Sequence, residues 1–189
     1  MDRKRIIVAI SGASGAIYGV TALRKLRELG IETHLILSKS AMLTLESELD
    51  LSMQDVAALA DQLHKVGDVG ATIASGSFPT MGMLIAPCSI RTLGEIASGV
   101  TQSLISRAAD VCLKERRKLV LMVRETPFHL GHLRQMTAVT EMGAIVAPPV
   151  PAFYAMPSTL QEMVDHSVGR VLDLFGLDTG IRRWSGLSS

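Results

Sequence analysis

Several things are scarce in this chain, and each shortage removes a class of protein. Aromatic residues fill 4% of its 189 positions, with one tryptophan, Trp184. The core must therefore be built from aliphatic side chains and ten methionines, a usual make-up for a parallel α/β sheet. Two cysteines, Cys88 and Cys112, are too few for a disulfide scaffold and do not stand at a metal-ligand spacing. They read as reduced cytosolic thiols. Neither sign of charge is in excess: 19 lysines and arginines against 18 aspartates and glutamates leave +1. That balance argues against a surface built for nucleic acid or an anionic membrane, while leaving room for a local basic pocket around a small anion.

Long apolar runs are missing as well. Mean hydropathy is +0.32, so a membrane span has to be considered. The longest uncharged stretches, Val69–Ile90 and Met142–Gln161, are broken by Pro79 and Pro87 in the first and by Pro148, Pro149, Pro151 and Pro157 in the second. Neither offers the ~20 continuous apolar residues of a spanning helix. The basic start followed by Ile6–Ile10 imitates a signal peptide, but the apolar run is too short and passes straight into a glycine loop. No membrane association, no export and a cytoplasmic location are expected. With 20% charged and 48% hydrophobic residues, the composition is that of a globular domain with a sizeable core.

What is present is an alternation of short apolar runs with helical patterns. Ile6–Ile10, Thr33–Leu37, Met83–Ala86, Leu119–Val123 and Ala144–Ala147 read as buried strands. Between them lie a helix carrying Ile17, Val20, Leu23 and Leu26 and stopped by Gly30, a helical stretch from Ser38, and a capping box at Ser52–Asp55 opening a helix through Leu63. Further helices are expected near Ile90–Ala97, Leu104–Glu115, Leu130–Met142 and Thr159–Leu174, before a short tail to Ser189. The pattern predicts one α/β domain over residues 1–189, a single doubly wound, mostly parallel sheet flanked by helices. Ligands of such sheets bind beyond the carboxyl ends of the strands, where the loops at 11–15, 38–40, 87–92, 124–127 and 148–154 fall.

Two of these loops carry small residues at a helix start, suited to an anion or a flat ring. Gly12-Ala13-Ser14-Gly15 matches neither the dinucleotide nor the P-loop spacing, so it reads either as a ligand cradle or as a tight turn. Ser89 in Pro87–Thr92 either caps the next helix or meets a ligand. Arg124-Glu125 at a strand mouth is a positioned acid–base or a surface pair. Arg107, Asp110 and Lys114 share a helix face and read as a solvated stripe. His129 and His132 make half a metal site with nothing nearby to complete it. Tyr154, closing a proline-rich loop, and Arg170, in the last helix, are each ligand contacts or ordinary packing.

Taken in order, the segments SGASG at Ser11–Gly15, Ser75–Phe78 followed by GMLIAPCSIRTL at Gly82–Leu93, RAADVCLKERR at Arg107–Arg117, LVLMVRETP at Leu119–Pro127, PPVPAFY at Pro148–Tyr154 and Arg170–Asp173 resemble the UbiX-type flavin prenyltransferase family. The match runs from about Ile6 to Trp184. The resemblance implies a Rossmann-like, metal-independent flavoprotein. Such an enzyme joins the dimethylallyl group of dimethylallyl phosphate to reduced FMN at N5 and C6, and the prenylated FMN passes to a UbiD-type decarboxylase. A homo-oligomer, usually a dodecamer with sites at subunit interfaces, is also implied.

Carried over by position, the resemblance gives Gly12, Ala13, Ser14, Ser38, Ser89, Ile90, Arg91, Thr92 and Arg124 to FMN, and Lys114, Tyr154, Arg170 and Trp184 to the prenyl donor. Glu125 is implied in proton handling, Ser14 at the flavin N5 edge, and Glu48 as a second acidic residue. Glu46 competes with Glu48, because the usual Glu-Thr is here Glu48-Leu49. An FMN-dependent cysteine decarboxylase and a non-catalytic flavin carrier are the alternatives. The first typically has Pro-Ala-Ser-Ala-Asn where this chain has Pro87–Arg91. The second has no use for Lys114, Tyr154 and Arg170 together.

Overall fold

The computed structural model describes residues 3–186; the two residues before and the three after, including the end of the expected tail, lie outside it. Strand β1 (Arg5–Ile10) is followed by α1 (Ala16–Glu28), β2 (Glu32–Leu37), α2 (Lys39–Leu49), α3 (Met53–Ala57) and β3 (Gln62–His64). Then come β4 (Gly82–Cys88), α4 (Ile90–Ala97), α5 (Leu104–Lys114), β5 (Lys118–Val123), α6 (Leu130–Glu141), β6 (Ile145–Val146) and α7 (Leu160–Asp173). The strands form one sheet in the order β3-β2-β1-β4-β5-β6, and every pairing is parallel.

Period-two alternation divides the core between the two faces. Ile6, Val8 and Ile10 of β1 pack with Val20, Leu23 and Leu26 of α1 and with Val164 and Val168 of α7. Ile7 and Ala9 face the other way, toward Leu93 of α4, Ala108 and Cys112 of α5 and Val139 of α6. Strand order reverses between β1 and β4, so their carboxyl ends part and leave a crevice. Gly19 lets α1 settle onto β4: a Cβ there would lie 2.4 Å from the Ala86 carbonyl oxygen.

Three expectations are corrected. The helix opened by the Ser52–Asp55 capping box ends at Ala57, not Leu63, and Gln62–His64 forms the edge strand β3. The Ala/Leu-rich composition favours helix, but tertiary pairing overrides it. The Asp61 carboxylate accepts the Thr33 N–H at 2.9 Å, and His64 Nε2 meets His34 Nδ1 at 2.9 Å. The strand expected to end at Ala86 continues through Cys88, and its pairing with β5 shifts register between Ile85 and Cys88. The last strand is only Ile145–Val146, because the proline loop leaves the sheet at once.

Candidate functional site

Three helices begin at the crevice, each capped by a serine. Ser38 accepts the Ala41 N–H at 3.0 Å, Ser89 the Thr92 N–H at 3.3 Å, and Ser103 the Ser106 N–H at 3.2 Å. Their first turns enclose a cavity of about 470 Å³ lined by Gly12, Ser38, Ser89, Arg91, Thr92 and Ser103. Backbone N–H groups and aligned peptide dipoles at three helix starts make this a place for an anion. Gly12 is required for the approach, since a Cβ there would sit 2.2 Å from Ser40 Cβ. Arg91 is mostly exposed and paired with Glu95 at 3.0 Å.

Beside this cavity, α1 starts at Gly15, which has a φ of 98° and no side chain to cap the helix. A residue 33 positions away supplies the cap: Glu48 Oε2 accepts the N–H of Gly15 at 2.8 Å and of Ala16 at 3.2 Å. Burial would raise the Glu48 pKa, but hydrogen bonds from the Ser14 hydroxyl and these two N–H groups, with the charge of Arg124, outweigh it and hold the carboxyl below its usual range. Glu48, not Glu46, is thus the carboxylate at the glycine loop. Arg124 stands at the end of β5, its backbone N–H bonded to the Cys88 carbonyl at 3.0 Å. The next residue, Glu125, is exposed, and its Oε1 accepts the Thr126 N–H at 2.9 Å.

A second cavity, about 290 Å³, lies between the proline loop and α7, lined by Pro148, Val150, Tyr154, His166 and Arg170. The Tyr154 ring meets Trp184 and His166 edge-on at 5.8 and 5.5 Å between centroids. Arg170 Nη1 donates to Asp173 Oδ2 at 2.7 Å, and Arg183 donates to both Asp173 oxygens at 2.9 Å. Burial acts to raise the Asp173 pKa, yet the two guanidinium groups prevail and lower it.

A model of the flavoprotein family matches residues 1–172. A flavin prenyltransferase UbiX of Thauera aromatica is 56% identical over 183 residues, 96% of this chain and 94% of its own. A crystal structure of AnUbiX in complex with FMN and dimethylallyl pyrophosphate superposes with a TM-score of 0.97 at 51% identity, covering 99% of this chain and all of that one. The chain belongs to the UbiX flavin prenyltransferase family. A dodecameric FMN-dependent UbiX-like decarboxylase from Escherichia coli O157:H7 gives 0.94 at 51% identity, over 96% of this chain and all of that one. An FMN-dependent cysteine decarboxylase shares the fold alone, at 17% identity and a TM-score of 0.63 over 78% of this chain and 91% of that one.

In this UbiX-type chain, Gly12, Ala13, Ser14, Ser38, Ser89–Thr92, Arg124 and Glu48 gather around the crevice, and Tyr154, Arg170 and Trp184 around the second cavity. Lys114 joins neither. It ends α5 at the opposite edge of the sheet, where β5 begins, paired with Glu115 and close to Gly76. Helix α5 packs on the Ile7 and Ala9 face of the sheet and α7, which carries Arg170, on the opposite face, so within one chain Lys114 is held away from the second cavity. His129 Nδ1 accepts the N–H groups of Gly131 and His132 at 2.9 and 3.4 Å, so the histidine caps α6. Among the described residues no group of three His, Cys, Asp or Glu is placed to hold a metal, and no helix is long and apolar enough to cross a membrane.

Residues that motif reading passed over include Ser103, Ser11, Tyr18 and His166. Ser103 and Ser106 form a capping box, a signal visible in the sequence at that spacing. Tyr18 packs beside the glycine loop, where burial raises its pKa more than the Arg124 charge lowers it. His166 is buried under Tyr154, their Nε2 and hydroxyl 3.4 Å apart; nothing in the sequence marks it.

Proposed function

We propose that this chain is a flavin prenyltransferase that joins the dimethylallyl group of dimethylallyl phosphate to reduced FMN at N5 and C6. The observation that carries the reading is the convergence of three serine-capped helix starts and Gly12 on one cavity beside Glu48 and Arg124. That cradle fits FMN: backbone donors suit its phosphate, and the lack of a side chain at Gly12 leaves room for close approach. Reduced flavin, when bound, supplies the electron-rich partner for an allylic carbon. The chain's own residues do the rest. Ser38, Ser89 and Thr92 hold the phosphate end, with Ile90 and Arg91 beside them. Ala13, Ser14 and Arg124 line the ring side. Tyr154 and Arg170 grip the donor phosphate and stabilise charge as the C–O bond breaks, and Trp184 screens that pocket from water. Glu125, and Glu48 behind Ser14, hold and move protons at the reacting edge.

In this reading Lys114 completes the donor site from a neighbouring subunit, which its position at the end of α5, on the other face of the sheet from α7, supports. A homo-oligomer, dodecameric like the Escherichia coli relative, supplies such neighbours. The chain acts as one flavin-binding domain, in the cytoplasm, where the buried thiols of Cys88 and Cys112 stay reduced. The product, prenylated FMN, goes to a UbiD-type decarboxylase. Anaerobic incubation of reduced FMN with dimethylallyl phosphate and the protein, followed by mass spectrometry of the flavin, tests the reading. A mass gain of one dimethylallyl unit supports it. Unchanged flavin with both ligands bound refutes it, and turnover of a peptidyl cysteine instead would move the chain to the decarboxylases.

A further inference from the structure

The crevice needs its two flavin loops at a set separation, and the backbone alone does not supply it. Parallel pairing between β1 and β4 runs through Ile7–Met83, Val8–Leu84 and Ala9–Ile85, and then stops. Two residues further along β4 stands Pro87, which has no N–H to continue a ladder. Beyond that point the strands are joined through one residue, Ser11, and mainly through its side chain. Ser11, 1% exposed, donates its hydroxyl proton to the Pro87 carbonyl at 2.8 Å, and its Oγ accepts the Ser89 N–H at 2.7 Å. Its own backbone N–H adds a bond to the same Pro87 carbonyl at 3.2 Å. The residues on either side of this clamp, Gly12 and Ser89, both line the cradle.

We infer that Ser11 is a positioning residue for flavin binding: its hydroxyl sets the distance between the glycine loop and the start of α4, and so the width of the cradle. It touches neither the donor pocket nor, through its buried side chain, the cavity. A hydroxyl is the group that suits, because one atom must donate and accept at once across two chain segments. Alanine leaves the Ser89 N–H without its partner and lets the α4 start drift from Gly12. The inference rests on FMN occupying the cradle, and its failure is separable from failure of that reading.

The test titrates FMN against apo-protein by quenching of flavin fluorescence, with thermal unfolding of the same apo samples. Ser11→Ala is compared with Ile6→Val, a core truncation at the far end of the same strand. Ser11→Ala weakens FMN by about 10-fold or more, while Ile6→Val, with a comparable loss of thermal stability, stays within about twofold of the parent. Should Ser11→Ala not fold, Ser11→Cys takes its place, close in size but a poorer acceptor. Parent-like FMN affinity in the Ser11 variant overturns the inference, as does equal weakening by Ile6→Val. Failure of both Ser11 variants to fold makes Ser11 a residue of the fold alone and also overturns it. If the parent itself does not bind FMN, the functional reading fails instead.

Discussion

The proposed flavin cradle, at the carboxyl ends of the strands, and the proposed donor pocket, between α7 and the proline loop, are built by different means. The cradle is made of backbone: three capped helix starts, a glycine that admits close approach, and short hydrogen bonds between loops. The carboxylate beside it, Glu48, is held by backbone N–H groups of the same chain. The donor pocket is made of side chains, several of them open. Tyr154 is 38% and Trp184 58% exposed, and Arg170 is held by Asp173, which it shares with Arg183. Its lysine stands at the other edge of the sheet. A rigid cradle suits a ligand bound through many backbone contacts, whereas a pocket finished by a neighbour, as proposed for Lys114, can admit and release the smaller donor.

The largest effect separates chemistry from flavin binding. Glu125→Gln keeps the size of the side chain and removes its titrating proton, so single-turnover prenylation falls by ~100-fold or more with FMN retained. Near-normal turnover would take Glu125 out of the mechanism. Arg170→Ala comes next. Hydrogen bonds to charged groups contribute about 1.5–3 kcal/mol; Arg170 is half exposed, so donor affinity drops nearer about 10-fold than 100-fold. Separate titrations should show FMN binding unchanged, and collapse of FMN binding with donor binding intact would mean the two phosphate sites are reversed.

Gly12→Ala attacks the cradle alone. The clash with Ser40 Cβ pushes the glycine loop away from α2, and FMN affinity falls by about 10-fold with donor affinity unaltered in titrations. Equal loss of both ligands would erase the distinction between the regions. The smallest effect is on stability. A carboxyl whose folded pKa is lowered adds stability above its unfolded pKa, and loses it as pH falls through the folded value. Glu48 is such a group, lowered from 4.5. Melting curves of parent and Glu48→Gln should therefore differ by a few degrees at about pH 7 and converge in acid below that range. A constant difference at every pH would mean that the charge of Glu48 does not matter.

Local patterns made much of this legible. β1, β4 and β5 carry continuous apolar runs and β2 ends in one at 35–37, and Ser38, Ser52 and Ser89 cap helices as their types suggest. β3 was not legible, because it exists through the pairing of His34 and Asp61 with residues 30 positions or so away, which no window contains. Most cradle residues lie in short runs just after strand ends, around Gly12, Ser38 and Ser89, so motif order brought them out, whereas Ser103 starts a helix that follows no strand. His166 carries no local mark, and Ser11, though it opens the glycine loop, shows its clamp to Pro87 and Ser89 only through space. The separation of Lys114 from Tyr154 and Arg170 was hidden for the same reason: only the packing of α5 and α7 on opposite faces of the sheet shows it.

The contrast between a cradle finished within one chain and a donor pocket finished by another meets its most direct test in subunit mixing. Lys114→Ala and Arg170→Ala, assayed at sub-saturating dimethylallyl phosphate where each falls about 10-fold below the parent and each still binding FMN, are unfolded together and reassembled in equal amounts. If the lysine serves a neighbour's pocket, a share of mixed sites holds both native residues, and prenylation returns to about a quarter of the parent's for random assembly of a symmetric oligomer. If both residues serve the same chain, no site regains the pair. Mixed assemblies as inactive as the separate variants would contradict the account.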